Sequence, residues 1–257
     1  MAAAGVVAIA AALVAPGVHD AGASASATTV RDHRAAFHAV AVARAATGPN
    51  FAPRLDVRLV VAPASGGDLP VYAAPRTAEP SAVLPPVNEL GSPLVLLAIH
   101  TDGDWYEVLL PTRPNGSSAW VPASAVTAAP PTVRVDVSLG THALQVVRVA
   151  DGAVLLTSPI GAGAPSRPTP TGLFYVRDFF PTAGANHPYG PMAFGLSGHS
   201  DVLMNFGTGD GRIAIHGTDA PSTIGADASN GCVHVPNDID RALIPLLTLG
   251  TPVTISA

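Results

Sequence analysis

The sequence predicts a mainly β protein: a small β-barrel followed by a larger β-rich domain with one short helix. Three observations carry this expectation. From about residue 55 onward, apolar and polar residues alternate over four to eight positions in most segments, the period-2 pattern of half-buried strands. Gly, Pro and Asn punctuate these runs, including the Asp-Gly of "TDGDW" and the Asn-Gly of "RPNGSSAW", which supply the positive φ that tight hairpins need. Only "PNDIDRALIPLLTLG" reads as a helix, with Asn237 or Asp238 as its cap and a stop near Gly250.

Taken in order, residues 1–27 hold the apolar run "GVVAIAAALVAPG" and then the small residues "ASASA". This resembles a secretory signal peptide with an A-x-A site ending at Ala25 or Ala27. The run is shorter than the ~20 residues of a spanning helix, so an exported protein with a cleaved signal is expected rather than a membrane anchor. Residues 28–54 read as linker. Residues 55–127 hold five or so short strands, the spacing of a small barrel. With "VYAAP" opening it, "DWYEVLL" in the middle and "GSSAWVPASAV" closing it, this segment resembles a bacterial SH3-like domain. Trp105 and Trp120 are expected in its core. "AAPPT" is a stiff proline hinge.

Residues 132–257 form the second domain. "TVRVDVSLGTHALQVVRVADGAVLLTSPIG" reads as three strands with turns at "LGT" and "ADG", and "PTPTGLFYVRDF" as a turn and a fourth strand. From Phe180 to Gly211 the chain is rich in Gly, Pro, Asn and His, and its length suggests a lid. "GRIAIHG" and "TPVTIS" close the set of strands. The formal charge of −5, with no run of like charges, offers no basic face to nucleic acid.

The chain has a single cysteine, Cys232, so no internal disulfide is possible. A thiol attacks as thiolate and needs a base within reach, because a free cysteine has a pKa of ~8.5. His216 ends an alternating strand, and the intervening "GTDAPSTIGADAS" has the composition of a loop able to fold back. Gly231 leaves room beside the thiol, and the amides of Gly231 and Cys232 are candidate oxyanion donors. Ser229 either fixes the loop or assists the histidine. Two other readings use the same atoms: a cysteine buried beside a strand, or a zinc site of His216, Cys232 and His234 with Asp219 or His199 as fourth ligand.

"IHGT", then "P" and "IG", then "SNGCVHV" resembles the signature of the L,D-transpeptidase (YkuD-type) catalytic domain. "VDVSLGTHALQV", "PIGAGAPSRPTPTGLFYV" and "YGPMAFGLSG" are similar to that family's pattern as well, over about Thr132 to Ala257. The resemblance implies a peptidoglycan L,D-transpeptidase that joins third-position stem residues through a thioester on Cys232. It implies His216 as general base and then acid, Gly217 orienting it through its carbonyl, and Ser229, Asn230 and Gly231 shaping the nucleophile loop and oxyanion site. Two positions depart from the family: Asn230 stands where His or Lys is frequent, and His234 where Arg or Asn is commoner.

His234, Tyr189 and Arg212 are the expected substrate-binding residues, with Arg167 as an alternative cation and His234 otherwise a packing residue. Tyr189 and Phe194 either cover the donor peptide or pack the lid, and His187 and His199 are expected as exposed loop residues. No metal or other cofactor is implied. Implied partners are peptidoglycan stem peptides, with carbapenem β-lactams as covalent inhibitors, and the implied location is the cell wall or periplasmic space. The rivals are an L,D-carboxypeptidase or crosslink hydrolase using the same residues, and a non-catalytic wall-binding protein.

Overall fold

The structure, a computed structural model, describes residues 58–61, 67–182, 187–207 and 209–257. The expected signal peptide and linker lie outside the described residues. The first strands are β1 (Arg58–Val61), β2 (Leu69–Val71), β3 (Ala82–Leu84), β4 (Val95–Asp102), β5 (Trp105–Leu109), β6 (Ser118–Pro122) and β7 (Thr127–Ala129). They form an antiparallel sheet ordered β6-β5-β4-β1-β7 and a separate β2–β3 ladder. Gly103 and Gly116, the glycines of the two turn dipeptides, both have positive φ. Leu69, Val71, Leu97, Val108 and Val121 fill the core of this part. Trp105 is buried edge-on against Tyr72 at 5.1 Å, whereas Trp120 is half-buried beside His100.

The second part follows the predicted order through β8 (Val133–Ser138), β9 (Ala143–Arg148), β10 (Val154–Pro159) and β12 (Gly172–Pro181), with the two-residue β11 (Ala162–Gly163), which the sequence did not predict, before the last of them. Then come β13 (Met192–His199), β14 (Arg212–His216), β15 (Asp227–Ser229), β16 (Val233–His234), the helix α1 (Asn237–Leu243) and β17 (Pro252–Ser256). One sheet of eight strands runs β10-β9-β8-β17-β12-β13-β14-β16, and β11 pairs with β15 beside it. Its core holds Val135, Val146, Phe174, Leu196, Ile215 and Leu243, among others.

Two expectations fail here for physical reasons. The expected lid of Phe180 to Gly211 contains β13, whose "MAFGLSGH" is buried at seven of eight positions. A strand covered on both faces shows no alternation, so its composition reads as loop. Phe194, expected near the lid, is a core residue of β13. The helix ends at Leu243 rather than near Gly250, because Pro245 restricts the residue before it and cannot donate to the turn behind. Neither Asn237 nor Asp238 caps it; the N-cap is Pro236, with no side-chain capping bond.

The described residues of both sheets lie in one compact unit. Tyr175, on β12 of the large sheet, is fully buried in the core of the smaller one. Around it Arg177 makes a two-point ion pair with Glu89 at 2.9 and 2.6 Å. Arg113, from the β5–β6 connection, donates to the carbonyls of Ser200, Leu203 and Asp210 at 2.5–3.0 Å. Asn115 bonds both backbone groups of His199.

The Tyr175 hydroxyl has no hydrogen-bond partner. Burying a polar group unpaired costs about 1–3 kcal/mol, so Tyr175→Phe is expected to raise the unfolding free energy by about 1 kcal/mol. Tyr175→Ala, which empties a ring-sized volume, should lower it by about 3–5 kcal/mol. Denaturant titration checks both; a destabilised Phe variant would mean that the hydroxyl is satisfied in solution.

Candidate active site

β14 and β16 run parallel, with Ile215 opposite Val233 and His216 opposite His234. Parallel strands in register present opposed residues on the same face, and residues two apart along a strand share a face. Cys232 immediately precedes β16, two residues before His234. The thiol and the two imidazoles therefore converge at the edge of the eight-stranded sheet. The rings of His216 and His234 lie 4.7 Å apart.

The His216 ring is buried, and its Nδ1–H donates to the Gly217 carbonyl at 2.5 Å. A carbonyl only accepts, so the proton sits on Nδ1 and the Nε2 lone pair is open. Burial, with the neighbouring His234, pushes the His216 pKa down to about 3, while the Gly217 bond pulls the other way. Burial likewise pushes the Cys232 thiol up to about 11, opposed by a backbone bond at Ala214. The resting pair is therefore a neutral thiol and a neutral imidazole.

The nucleophile turn is held by one hydroxyl. Ser229 Oγ donates to the Cys232 carbonyl at 2.6 Å and accepts from the Gly231 amide at 3.1 Å. Ser229 thus fixes the loop. The Gly231 amide, an expected oxyanion donor, is engaged in that lock. Gly231 has φ +112°, where an L side chain is strained, whereas a Cβ there would meet only ordinary contacts. Backbone conformation, more than the room expected from sequence, calls for this glycine. Arg167 donates to the Asn230 side chain, which places its guanidinium beside the turn.

Tyr189 packs edge-on to His216 at 4.7 Å, and burial with the facing Cys232 raises its pKa. His187 lies against Tyr189 at 5.5 Å. His234 Nδ1 lies 3.1 Å from Thr223 Oγ1, whose own hydrogen goes to the Ala220 carbonyl, so His234 is the donor. The His234 pKa is lowered by burial.

Arg212 is not brought to the thiol. It begins β14, at the far end from His216, and its guanidinium is held by Asp178 at 2.8 Å, by Glu89 and by Asp210. His199, expected as exposed, is buried at the end of β13 and bonded to Asp210 at 3.0 Å. Among the described residues no group of three His, Cys, Asp or Glu side chains is arranged to hold a metal ion, and the zinc set read from the sequence is not assembled.

Sequence reasoning missed the support behind His216. Asn237 Oδ1 accepts from the Thr218 amide at 2.8 Å, and Asp240 Oδ2 accepts from the Met192 amide at 2.8 Å and lies against Gly217. Gly190 and Gly217 meet so closely that a Cβ on Gly217 would collide with Asn237 Oδ1 and lie 2.9 Å from the Gly190 Cα. The one available signal was the i, i+3 spacing of Asn237 and Asp240 on a single helical face.

A thiol and an imidazole that share Tyr189 as neighbour, the imidazole oriented by a backbone carbonyl, have the parts needed for acyl transfer through a cysteine. Residues 132–255 match the YkuD family model, described as the L,D-transpeptidase catalytic domain. Over 122 residues the chain is 32% identical to the protein named "Putative L,D-transpeptidase YkuD" of Bacillus subtilis (strain 168), a match covering 48% of this chain and 65% of that one. The chain thus spans slightly less than two thirds of that relative.

Among solved structures it is similar to an L,D-transpeptidase from Mycobacterium smegmatis, 17% identical, covering 78% of this chain and 82% of that one, with a TM-score of 0.39. It is also similar to an L,D-transpeptidase in complex with imipenem, 16% identical over 77% of this chain and 82% of that one, with a TM-score of 0.40. Among the described residues no helix is long and apolar enough to cross a membrane.

Folded His216, at about 3, binds its proton less readily than an unfolded histidine at ~6.5. Between those values the unfolded chain takes up more protons. The stability tied to the neutral ring is therefore complete above ~6.5 and is lost as pH falls toward the folded value. His216→Gln is expected to flatten the fall in Tm between ~pH 6.5 and ~pH 4. Equal falls in both proteins would show that His216 is not its source.

Proposed function

We propose that the protein is a peptidoglycan L,D-transpeptidase working through a thioester on Cys232. The observation that carries this reading is the tautomer of His216. With its Nδ1–H donated to the Gly217 carbonyl, the ring is left with Nε2 to serve the thiol that precedes the neighbouring strand β16. Cys232 Sγ attacks the amide carbonyl after the L-centre of the third-position diamino acid in a donor stem. His216 takes the thiol proton as the C–S bond forms, then gives it to the departing nitrogen as the C–N bond breaks, releasing D-alanine. A side-chain amine of a second stem then attacks the thioester. His216 accepts its proton and returns it to sulfur, leaving an amide crosslink between third-position residues.

Because the resting pair is neutral, proton transfer accompanies attack, and the substrate supplies the polarity that stabilises it. Of the two expected oxyanion donors, the Gly231 amide serves Ser229, so the developing charge is assigned to the Cys232 amide. Tyr189 and His234 flank the acyl group. Arg167, beside Asn230, is better placed than Arg212 to meet a stem carboxylate. The smaller sheet is read as an SH3-like module that places the enzyme on the wall, by analogy of fold. Residues 1–27 are read as the export signal, which puts the enzyme where peptidoglycan lies, and carbapenems are read as covalent inhibitors at Cys232.

Incubation with a stem tetrapeptide is expected to yield crosslinked dimer and free D-alanine, and Cys232→Ser neither, by liquid chromatography and mass spectrometry. D-alanine without dimer would make water the acceptor and the enzyme a carboxypeptidase. No D-alanine from the unmodified protein would overturn the reading.

A further inference from the structure

The first turn of α1 faces the His216-Gly217-Thr218 turn. Two side chains of that helix hold Gly217: Asn237 accepts from the Thr218 amide at 2.8 Å, and the Asp240 carboxylate lies against Gly217, 3.1 Å from where a Cβ would stand. The 216–217 peptide is fixed too, since the His216 carbonyl accepts from the Val235 amide at 2.9 Å. Gly217 has no side chain to restrict its two dihedrals. These bonds, rather than the residue itself, set where its carbonyl points, and that carbonyl receives the Nδ1 proton of His216.

Asp240 does more than pack against the turn. Its Oδ2 also accepts from the Met192 amide at 2.8 Å. Met192 begins β13, just after the hairpin connection that carries Tyr189. One carboxylate thus joins the turn behind the imidazole to the segment whose ring lies on the imidazole's other side. The side chain is fully buried, and its Oδ1 has no partner. Burial pushes its pKa up to about 6. A half-satisfied buried carboxyl destabilises a fold. An apolar residue would fill the same volume without that penalty, so stability alone does not account for it.

We infer that Asp240 is a positioning residue for the thiol–imidazole pair: it ties the Met192 amide to the Gly217 turn it packs against and so fixes the carbonyl that keeps His216 in its Nδ1–H tautomer. The consequence for rate rests on the acyl-transfer reading given above; the consequence for the tautomer does not. Without the carboxylate, Gly217 turns, the ring loses its acceptor, and molecules with the proton on Nε2 cannot take the proton from sulfur.

The test uses the full chain and four proteins: unmodified, Asp240→Asn, Asp240→Ala and Asp240→Ser. Imipenem is the acylating probe, followed by the mass of the Cys232 adduct, and ¹⁵N NMR of the His216 ring reports the tautomer. Asp240→Asn keeps a carbonyl oxygen able to accept from the Met192 amide, and its limiting acylation rate is expected within about tenfold of the unmodified protein. Asp240→Ala and Asp240→Ser should lose on the order of 100-fold in that rate, with little change in half-saturating imipenem, and should show a mixed tautomer.

An unchanged rate and a pure Nδ1–H ring in a folded Ala or Ser variant would overturn the inference. So would failure of both variants to fold, because the role would then be structural. Should the unmodified protein form no adduct, the acyl-transfer reading fails, and the ring spectrum alone decides whether Asp240 positions His216.

Discussion

The hydrogen bond from His216 Nδ1 to the Gly217 carbonyl is the contact on which the arrangement of the site depends. The ring lies where the charged form is disfavoured, so its electrostatics favour a neutral imidazole without choosing between the two nitrogens. A carbonyl makes that choice, because it accepts and never donates. Where an ionised carboxylate takes this role it also supplies charge that stabilises an imidazolium. A carbonyl supplies direction and only a partial charge. The result is a base whose protonated form is little supported before substrate arrives, consistent with a thiol held near 11.

This constraint propagates outward through glycine. Orienting the ring with the carbonyl of the next residue requires the chain to turn at once after β14, and the turn is crowded: Gly217, Gly190 and the Asn237 amide leave no volume for a Cβ. A glycine that fits such a space is also free to leave it. The turn is therefore determined by its partners, which explains why a helix of seven residues stands behind it with two side chains spent on backbone amides. The nucleophile turn follows the same logic at smaller scale. Gly231 adopts a conformation that few residues tolerate, and the Ser229 hydroxyl bridges both of its ends.

Much of this was legible in the sequence where a residue's chemistry is local. Strands with one more open face, β9 and β14 among them, announce themselves by alternation, and Asp-Gly and Asn-Gly mark hairpins because φ is a property of the residue. His216 and Cys232 stood out through the spacing of a known signature. What stayed hidden is set by tertiary neighbours. β13 is buried on both sides and so has no pattern. Arg212 read as a free cation because Asp178 and Glu89 are 34 and 123 residues away along the chain. Asn237 read as a helix cap because a side chain that caps its own helix and one that reaches across to Thr218 look alike in one dimension.

β14 is fixed at both ends by groups from outside its own sheet neighbours. At its start, Arg212 sits among Asp178, Asp210 and Glu89, the last from the connection that leads into β4 of the smaller sheet. At its end, the His216-Gly217-Thr218 turn hangs on α1. A buried or half-buried arginine among carboxylates gains little net stability, since desolvation offsets much of the attraction, but it is directional and resists sliding. The strand carrying the imidazole is only five residues long and pairs with β16 through just two residue pairs. Its longer ladder, the antiparallel one with β13, pairs Ala193 with His216, Phe194 with Ile215 and Gly195 with Ala214 but shifts register before His199 meets Arg212. The ionic cluster at one end and the amide-binding helix at the other supply what the ladder lacks. The smaller sheet, through Glu89 and the Arg113 carbonyl contacts, therefore belongs to the framework that fixes the His216 strand.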